Sequence, residues 1–350
     1  MNRFLFLLAG VSLLCGSAPA ADIEFSGLID VGFVHNTNDP GKTDNSSKVL
    51  GLWNAEDTFQ IATAQLNAHI EADPVGFDLK LSFFNQATLD FGASDTDDIS
   101  AEEAYLTWNT DVGGGLTIQA GRMATLLGVE VNETLYNNHM THGLQFNLVP
   151  GTHVGVRATY PVADSLELVL GLNNGADKNV DDNHGKTIEG MATYTISEAW
   201  VTSIQFNYGA ETASNEREKN LTLNAWSSYD LSEETSGYIE FTYGSKENVT
   251  NTVDQNVWGI GVSAIHWLTD QYGLSSRFEY VDDPDRGITD LAAKYSWNFT
   301  ITGHCKVTDD IMLRLEYRHD GINQNGFNGD RGADTEDDQS IVGVQLVYSF

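Results

Sequence analysis

The chain has 350 residues, 50 of them acidic and 18 basic, for a formal charge of -32; this sign excludes nucleic acid as a partner, because phosphates demand a basic surface. The same acidity suits divalent cations or cationic solutes, or simply keeps a surface hydrated. No apolar stretch after the first twenty residues approaches the roughly eighteen that a membrane-spanning helix needs, and of the two cysteines only Cys305 follows that segment, so no internal disulfide is expected.

Met1-Asn2-Arg3, an apolar run from Phe4 to Cys15 and the small-residue exit Ala18-Pro19-Ala20 read as a secretory signal peptide over residues 1–20, removed on export. Leu14 precedes Cys15 where lipoprotein processing wants a small side chain, which argues against lipidation. Residues 21–350 read as one domain, since the six prolines are scattered, the 33 glycines recur throughout and no Pro-rich or Ser-rich linker interrupts them.

From Ile23 onward the dominant signal is period-two alternation, with hardly any helical periodicity. Strands are predicted near 23–34, 57–71, 77–90, 99–110, 116–124, 153–161, 165–174, 186–197, 200–210, 218–230, 236–246, 255–268, 271–281, 289–302, 309–319 and 339–350. That makes about sixteen, with fourteen or eighteen as alternatives. In 291–301, Leu291, Ala293, Tyr295, Trp297, Phe299 and Ile301 share one face, and Lys294, Ser296, Asn298 and Thr300 the other. In 311–318, Ile311, Leu313, Leu315 and Tyr317 oppose Arg314, Glu316 and Arg318. Charges on the inner face of a soluble core would be ruinous. Lipid outside and water inside satisfy both faces, so the fold class is an all-β transmembrane antiparallel barrel.

The connections alternate in length. Those at 72–76, 111–115, 161–164, 197–199, 231–235, 269–270 and 303–308 are short, whereas 35–56, 91–98, 125–152, 175–185 and 320–338 are long. Barrels of this kind keep short turns at the periplasm and long loops outside, which places both chain ends on the periplasmic side. Acidic residues gather in the outer loops: Asp95, Asp97 and Asp98, then Asp177, Asp181 and Asp182, then Asp282, Asp283 and Asp285, then Asp330, Asp334, Glu336, Asp337 and Asp338. A solvated loop set accounts for them, and no segment has calcium-loop spacing. Loosely held Ca or Mg, bridging to lipopolysaccharide, is an intermediate reading; no tightly bound cofactor is expected.

The chain ends Val342-Gly343-Val344-Gln345-Leu346-Val347-Tyr348-Ser349-Phe350, with Val342, Val344, Leu346, Tyr348 and Phe350 on one face. An aromatic carboxy-terminal residue after alternating apolar positions resembles the peptide read by the barrel-assembly machinery, which makes Tyr348 and Phe350 candidate assembly-signal residues.

Ala104-Tyr105-Leu106-Thr107-Trp108-Asn109, Leu116 to Arg122 running into Leu127-Gly128-Val129-Glu130, Thr152 to Pro161, Leu313 to Arg318 and the Phe350 end together resemble the OmpL-like β-barrel porin family. The resemblance runs through most of the chain, with its sharp motifs between about 100 and 175. It implies a porin-like barrel in the outer membrane and says little about substrate. By likeness to general porins, whose third outer loop folds into the lumen, the 125–152 connection would carry Glu130 and Glu133 to the constriction. Arg157, Arg277, Lys294, Arg314 and Arg318 are predicted inward by alternation, and opposed acidic and basic rows would set a transverse field. Each has a plain alternative, such as Arg314 pairing with Glu316 or Glu279 to brace the wall. Arg122 has the wrong parity for the lumen unless a bulge follows Gly121. His139 and His142 stand as His-x-x-His in the same loop, a weak metal spacing that a polar loop also explains.

Hydrolase elbows, phosphate loops and zinc-protease motifs are absent from the sequence, so no enzyme is expected; an outer-membrane barrel enzyme, with catalytic groups from scattered strand ends, is the weaker alternative. A plugged adhesin or structural barrel is the other class. Small or polar lumen positions (Thr63, Gln65, Asn67, Ser82, Thr159, Ser275, Ser296) favour water inside. The resulting expectation is passive diffusion of small hydrophilic solutes with a modest cation preference, and, by analogy with porins of this size, a homotrimer.

Overall fold

The computed structural model describes residues 22–38, 53, 57–83, 99–247, 254–286, 289, 293–329 and 332–350. The strands are β1 (Ile23–Asn36), β2 (Thr58–Ile70), β3 (Val75–Phe83), β4 (Ile99–Thr110), β5 (Leu116–Ala124), β6 (Thr152–Ala163), β7 (Leu166–Asn173), β8 (Thr187–Ser197), β9 (Trp200–Thr212), β10 (Asn215–Ser232), β11 (Thr235–Lys246), β12 (Gln255–Trp267), β13 (Tyr272–Asp282), β14 (Tyr295–Lys306), β15 (Ile311–Ile322), β16 (Phe327–Gly329), β17 (Gly332–Glu336) and β18 (Asp338–Ser349). Among the described residues, β1 to β15 and β18 form one closed antiparallel barrel, and β16 and β17 pair separately as a hairpin in the last outer loop. The signal peptide, Asp95, Asp97, Asp98 and Asp330 lie outside the described residues.

Closure is what allows strands to cross a membrane, because every backbone donor and acceptor then finds a partner on a neighbouring strand. The seam joins β1 to β18, with Leu28 opposite Ser349 and Asn36 opposite Ile341. The Phe350 amide donates to the Gly27 carbonyl at 3.0 Å, and the Gly27 amide to the Phe350 carbonyl at 3.1 Å. A Cβ at Gly27 would meet the Phe350 ring at 2.9 Å and the Gln65 carbonyl at 2.5 Å, so the chain end is seated on a glycine.

Side chains obey the alternation. On β15, Leu313, Leu315 and Tyr317 are exposed outward while Arg314, Glu316 and Arg318 are buried inside; on β7, Leu168, Leu170 and Leu172 face out. Tyr194, Trp200 and Tyr272 near the short turns, and Trp258 and Tyr295 near the long loops, give the exterior aromatic rims above and below its aliphatic band. Apolar clusters also occur inside, where loops meet the wall: one joins Val34, Trp53, Ala62, Met140 and Ile341, the other Leu144, Val257, Val281, Ala293, Ile322 and Phe327.

Three expectations are corrected. The strand predicted over 289–302 begins at Tyr295, so Lys294 is an exposed loop residue and does not face the lumen. Its carbonyl still accepts from the Asp283 amide at 2.7 Å in the β13 register, but on the β15 side its amide donates to the Asn323 side chain at 2.7 Å and not to a backbone carbonyl, and the ladder ends there. Ala293 is accordingly buried in the inner cluster and not turned to lipid. The connection between β9 and β10 is only residues 213–214, short at a position where parity predicts length, because both strands continue upward beyond their predicted ends.

Candidate pore constriction

The 125–151 loop, between β5 and β6, holds two short 3-10 turns, Thr134–Tyr136 and Gln145–Leu148, and otherwise has no repeating structure. Such a segment must find partners for its backbone polar groups elsewhere. The inner wall supplies them, and the loop therefore lies across the lumen, bonded to β1, β2, β3, β11, β12, β13, β14, β15 and β18.

Carboxylates of the wall receive its amides. Glu316 accepts from the Met140 amide at 2.7 Å, the Thr141 amide at 3.1 Å and the Thr141 hydroxyl at 2.5 Å. Glu279 accepts from the Leu144 amide at 2.6 Å and the Gln145 amide at 3.3 Å, and Glu240 from the Val129 amide at 3.2 Å. Guanidinium groups receive its carbonyls. Arg314 donates to those of Thr134 (2.6 Å), Leu135 (3.0 Å) and Asn137 (3.1 Å), Arg318 to that of His142 (2.6 Å), and Arg277 to that of Thr141 (2.9 Å).

This arrangement corrects the expectation of an open basic row. Arg277, Arg314 and Arg318 do point inward, but they are 1%, 3% and 0% exposed beneath the loop, so they pin it and are not available to a passing solute. Arg318 is further paired with Asp320 at 2.8 Å. Arg157 is likewise committed, to Glu189 at 2.9 Å and to the Ala124 carbonyl at 2.9 Å, bracing the root of the loop. No bulge follows Gly121, and Arg122 keeps its outward parity while its Nε turns back to the Glu102 carbonyl at 3.0 Å.

The two loop acids differ in their surroundings. Glu130 is engaged on all sides: Arg277 at 2.5 Å, the Gly143 amide at 2.6 Å and the Tyr238 hydroxyl at 3.3 Å. Burial pushes its carboxyl up, but Arg277, His142 and the Gly143 amide outweigh this and hold it below the usual carboxylate range. Glu133 meets Lys80 at 2.5 Å and the Gln65 amide at 3.1 Å; here too burial is outweighed, by the Lys80 ammonium and Gln65, and its carboxyl is lowered.

His139 and His142 do not converge. His139 lies between Thr302 (2.7 Å) and Ser263 (3.2 Å), whereas His142 bonds the Val131 carbonyl at 2.9 Å and stacks on Phe146 with ring centroids 3.9 Å apart. Burial pushes both imidazoles down, His139 well below its ordinary value. Among the described residues no group of three or more His, Cys, Asp or Glu side chains could hold a metal ion. The outer-loop acids Asp177, Asp181 and Asp182 are taken up locally, by the Gly151 and Thr152 amides (2.9 and 2.8 Å), by Lys186 and by Lys178 respectively.

Space remains on both sides of the loop. A cavity of about 370 Å³ toward the outer side is lined by Lys80, Glu102, Glu103, Val131, Glu133 and Tyr136, among others. Another of about 370 Å³, toward the short-turn side, is bordered by Trp226, Ser228, Asp230 and Tyr238. Gly128, Glu130 and Tyr136 line both, and Tyr136 is 71% exposed between them. Alternation could not place Tyr136, which rides on a 3-10 turn. It also could not pair Glu102 with Glu103: a register shift opposite Lys80 and Leu81 inserts one residue into β4, turning both carboxylates toward the outer cavity.

A closed sixteen-stranded antiparallel barrel, apolar outside and polar inside with a loop folded across its lumen, defines a porin-like barrel of the outer membrane. The family model described as "Putative beta-barrel porin-2, OmpL-like" matches residues 22–350, and the chain belongs to that family. Among solved structures, the outer membrane channel DcaP of Acinetobacter baumannii matches with a TM-score of 0.65 at 15% identity, over 96% of this chain and 100% of that one. The anion-selective porin from Comamonas acidovorans matches with a TM-score of 0.67 at 11% identity, over 94% of this chain and 100% of that one. OmpT of Vibrio cholerae, in its trimer form, gives 0.64 at 14% identity, over 95% and 100%. At these identities the likeness is one of fold. No curated protein sequence matches the chain.

Proposed function

We propose that the protein is a passive channel for small hydrophilic solutes, narrowed by the 125–151 loop and mildly selective for cations. The observation that carries this reading is the pair of cavities on opposite sides of the loop, which share Gly128, Glu130 and Tyr136 in their linings. Charged and polar side chains stand in both linings among apolar ones, Lys80, Glu102, Glu103 and Glu133 in the outer cavity and Ser228, Asp230 and Ser236 in the other, which gives a hydrophilic solute partners along the way. Cation preference follows from the outer cavity, where Glu102, Glu103 and Glu133 face a single Lys80. The neighbour from Comamonas is described as anion-selective, whereas in this chain the inward arginines Arg277, Arg314 and Arg318 are bound beneath the loop.

A homotrimer is part of the proposal, supported by a neighbour described in trimer form. So are Tyr348 and Phe350 as an assembly signal, supported by their outward exposure beside the β1–β18 seam, and lipopolysaccharide contact at the acidic outer face through loosely held Ca or Mg. Liposome swelling tests the channel: vesicles containing folded protein should swell fast in isosmotic pentose and slowly in a trisaccharide. Equal rates, or none, would remove the size-limited diffusion reading.

A further inference from the structure

We propose that Lys80 is a built-in counter-cation, occupying the carboxylate site of the passage and setting how strongly the channel prefers cations. This deepens the cation-selective reading above and rests on it. The Lys80 ammonium lies 2.5 Å from Glu103 of the wall and 2.5 Å from Glu133 of the loop, so it bridges the two sides of the outer cavity. Glu102 lies in the same cavity, held by the Ser82 hydroxyl at 2.5 Å.

Two independent features show that the surroundings of Lys80 are built to receive a positive charge. The register shift in β4 turns consecutive glutamates to one side, against the alternation that would separate them. Gln65, 5% exposed, donates its amide to Glu133 and leaves its buried side-chain carbonyl oxygen without a hydrogen-bond partner. Three carboxylates, one of them fixed by the Gln65 amide, thus stand around one ammonium tethered by the chain. The ligand class that matches this site is a small cation, either an alkali-metal ion or a primary ammonium. In the native protein Lys80 neutralises part of the site and keeps its preference modest.

The test is the reversal potential of single channels under a KCl gradient, for wild type and for K80Q, K80R and E103Q. In K80Q the cation-to-anion permeability ratio should rise by up to about twenty-five-fold, since one unit charge some 4 Å from an ion's path in water changes the partition of cation and anion about fivefold each, in opposite senses. K80R, which keeps the charge, should stay near wild type, and E103Q, which leaves the Lys80 bridge to the loop intact, should lower the ratio by a similar factor. An unchanged ratio in K80Q, or a larger conductance without a change in ratio, would overturn the proposal and reduce Lys80 to a loop tether. If K80Q fails to fold, an unchanged ratio in E103Q overturns it equally. A folded wild type that passes no current would instead strike the channel reading itself, so the two failures are distinguishable.

Discussion

Arg314 directs its donors to three loop carbonyls, those of Thr134, Leu135 and Asn137. Replacing it with methionine keeps the volume and leaves the Leu135 and Asn137 carbonyls without a partner, while that of Thr134 keeps the Asn137 amide, a loss of about 1–3 kcal/mol for each buried group left unsatisfied. The loop can escape that penalty by swinging into water. R314M should therefore conduct more than wild type and with noisier open states, and single-channel traces identical to wild type would show that the guanidinium does not hold the loop. Reading Arg314 as inward needed only the alternation of 311–318. Its target could not be read that way, because carbonyls of an irregular segment carry no sequence signature. Lys294 shows the opposite limit: the pattern through 291–301 continued past the point where the Asn323 side chain takes the Lys294 amide and ends the β14–β15 ladder.

At the scale of the element, the 125–151 loop is held by charge in a largely dry setting, which makes its docking sensitive to acid. The sign follows from the groups themselves. Glu130 and Glu133 titrate below their ordinary value when docked, so they favour the docked loop at neutral pH and lose that contribution as pH falls through the docked values. His139 and His142, pushed down by burial, leave docking unaffected above about 6.5 and oppose it progressively below that. Asp177, raised by burial to about 6, acts in the other direction, its contribution falling as pH rises from 3.8 through 6. The histidines act from about 6.5 downward and the glutamates below about 4.5, so these groups of the loop itself predict that acidification from pH 7 to about 3 loosens it. Protease cleavage within 125–151 of the folded protein should accelerate over that range, measured with an acid-active protease against an unstructured control peptide; a pH-independent ratio would contradict the assignment. The loop's length and position made it legible as the element that narrows the lumen. The embrace of its backbone by Glu279, Glu316, Arg277 and Arg318 was not legible, since it joins residues more than a hundred positions apart.

For the whole molecule, the barrel was readable because the membrane imposes the same rule on every strand: apolar outward, polar inward, short turn, long loop. The strand order and the β1–β18 closure follow from that rule with little freedom. What escaped it were local departures, namely the β4 bulge that aims Glu102 and Glu103 together, the 3-10 turn that presents Tyr136, and the β16–β17 hairpin. These are the features that shape the passage. The central claim is that the loop narrows the lumen without sealing it. It is tested most directly by single-channel recording of folded, purified protein in a planar bilayer with a salt gradient. The account predicts stable current steps, smaller than those of a barrel this wide with an unobstructed lumen, and a reversal potential of the sign expected for cations. Absence of current from protein shown to be folded would contradict it and identify a plugged barrel.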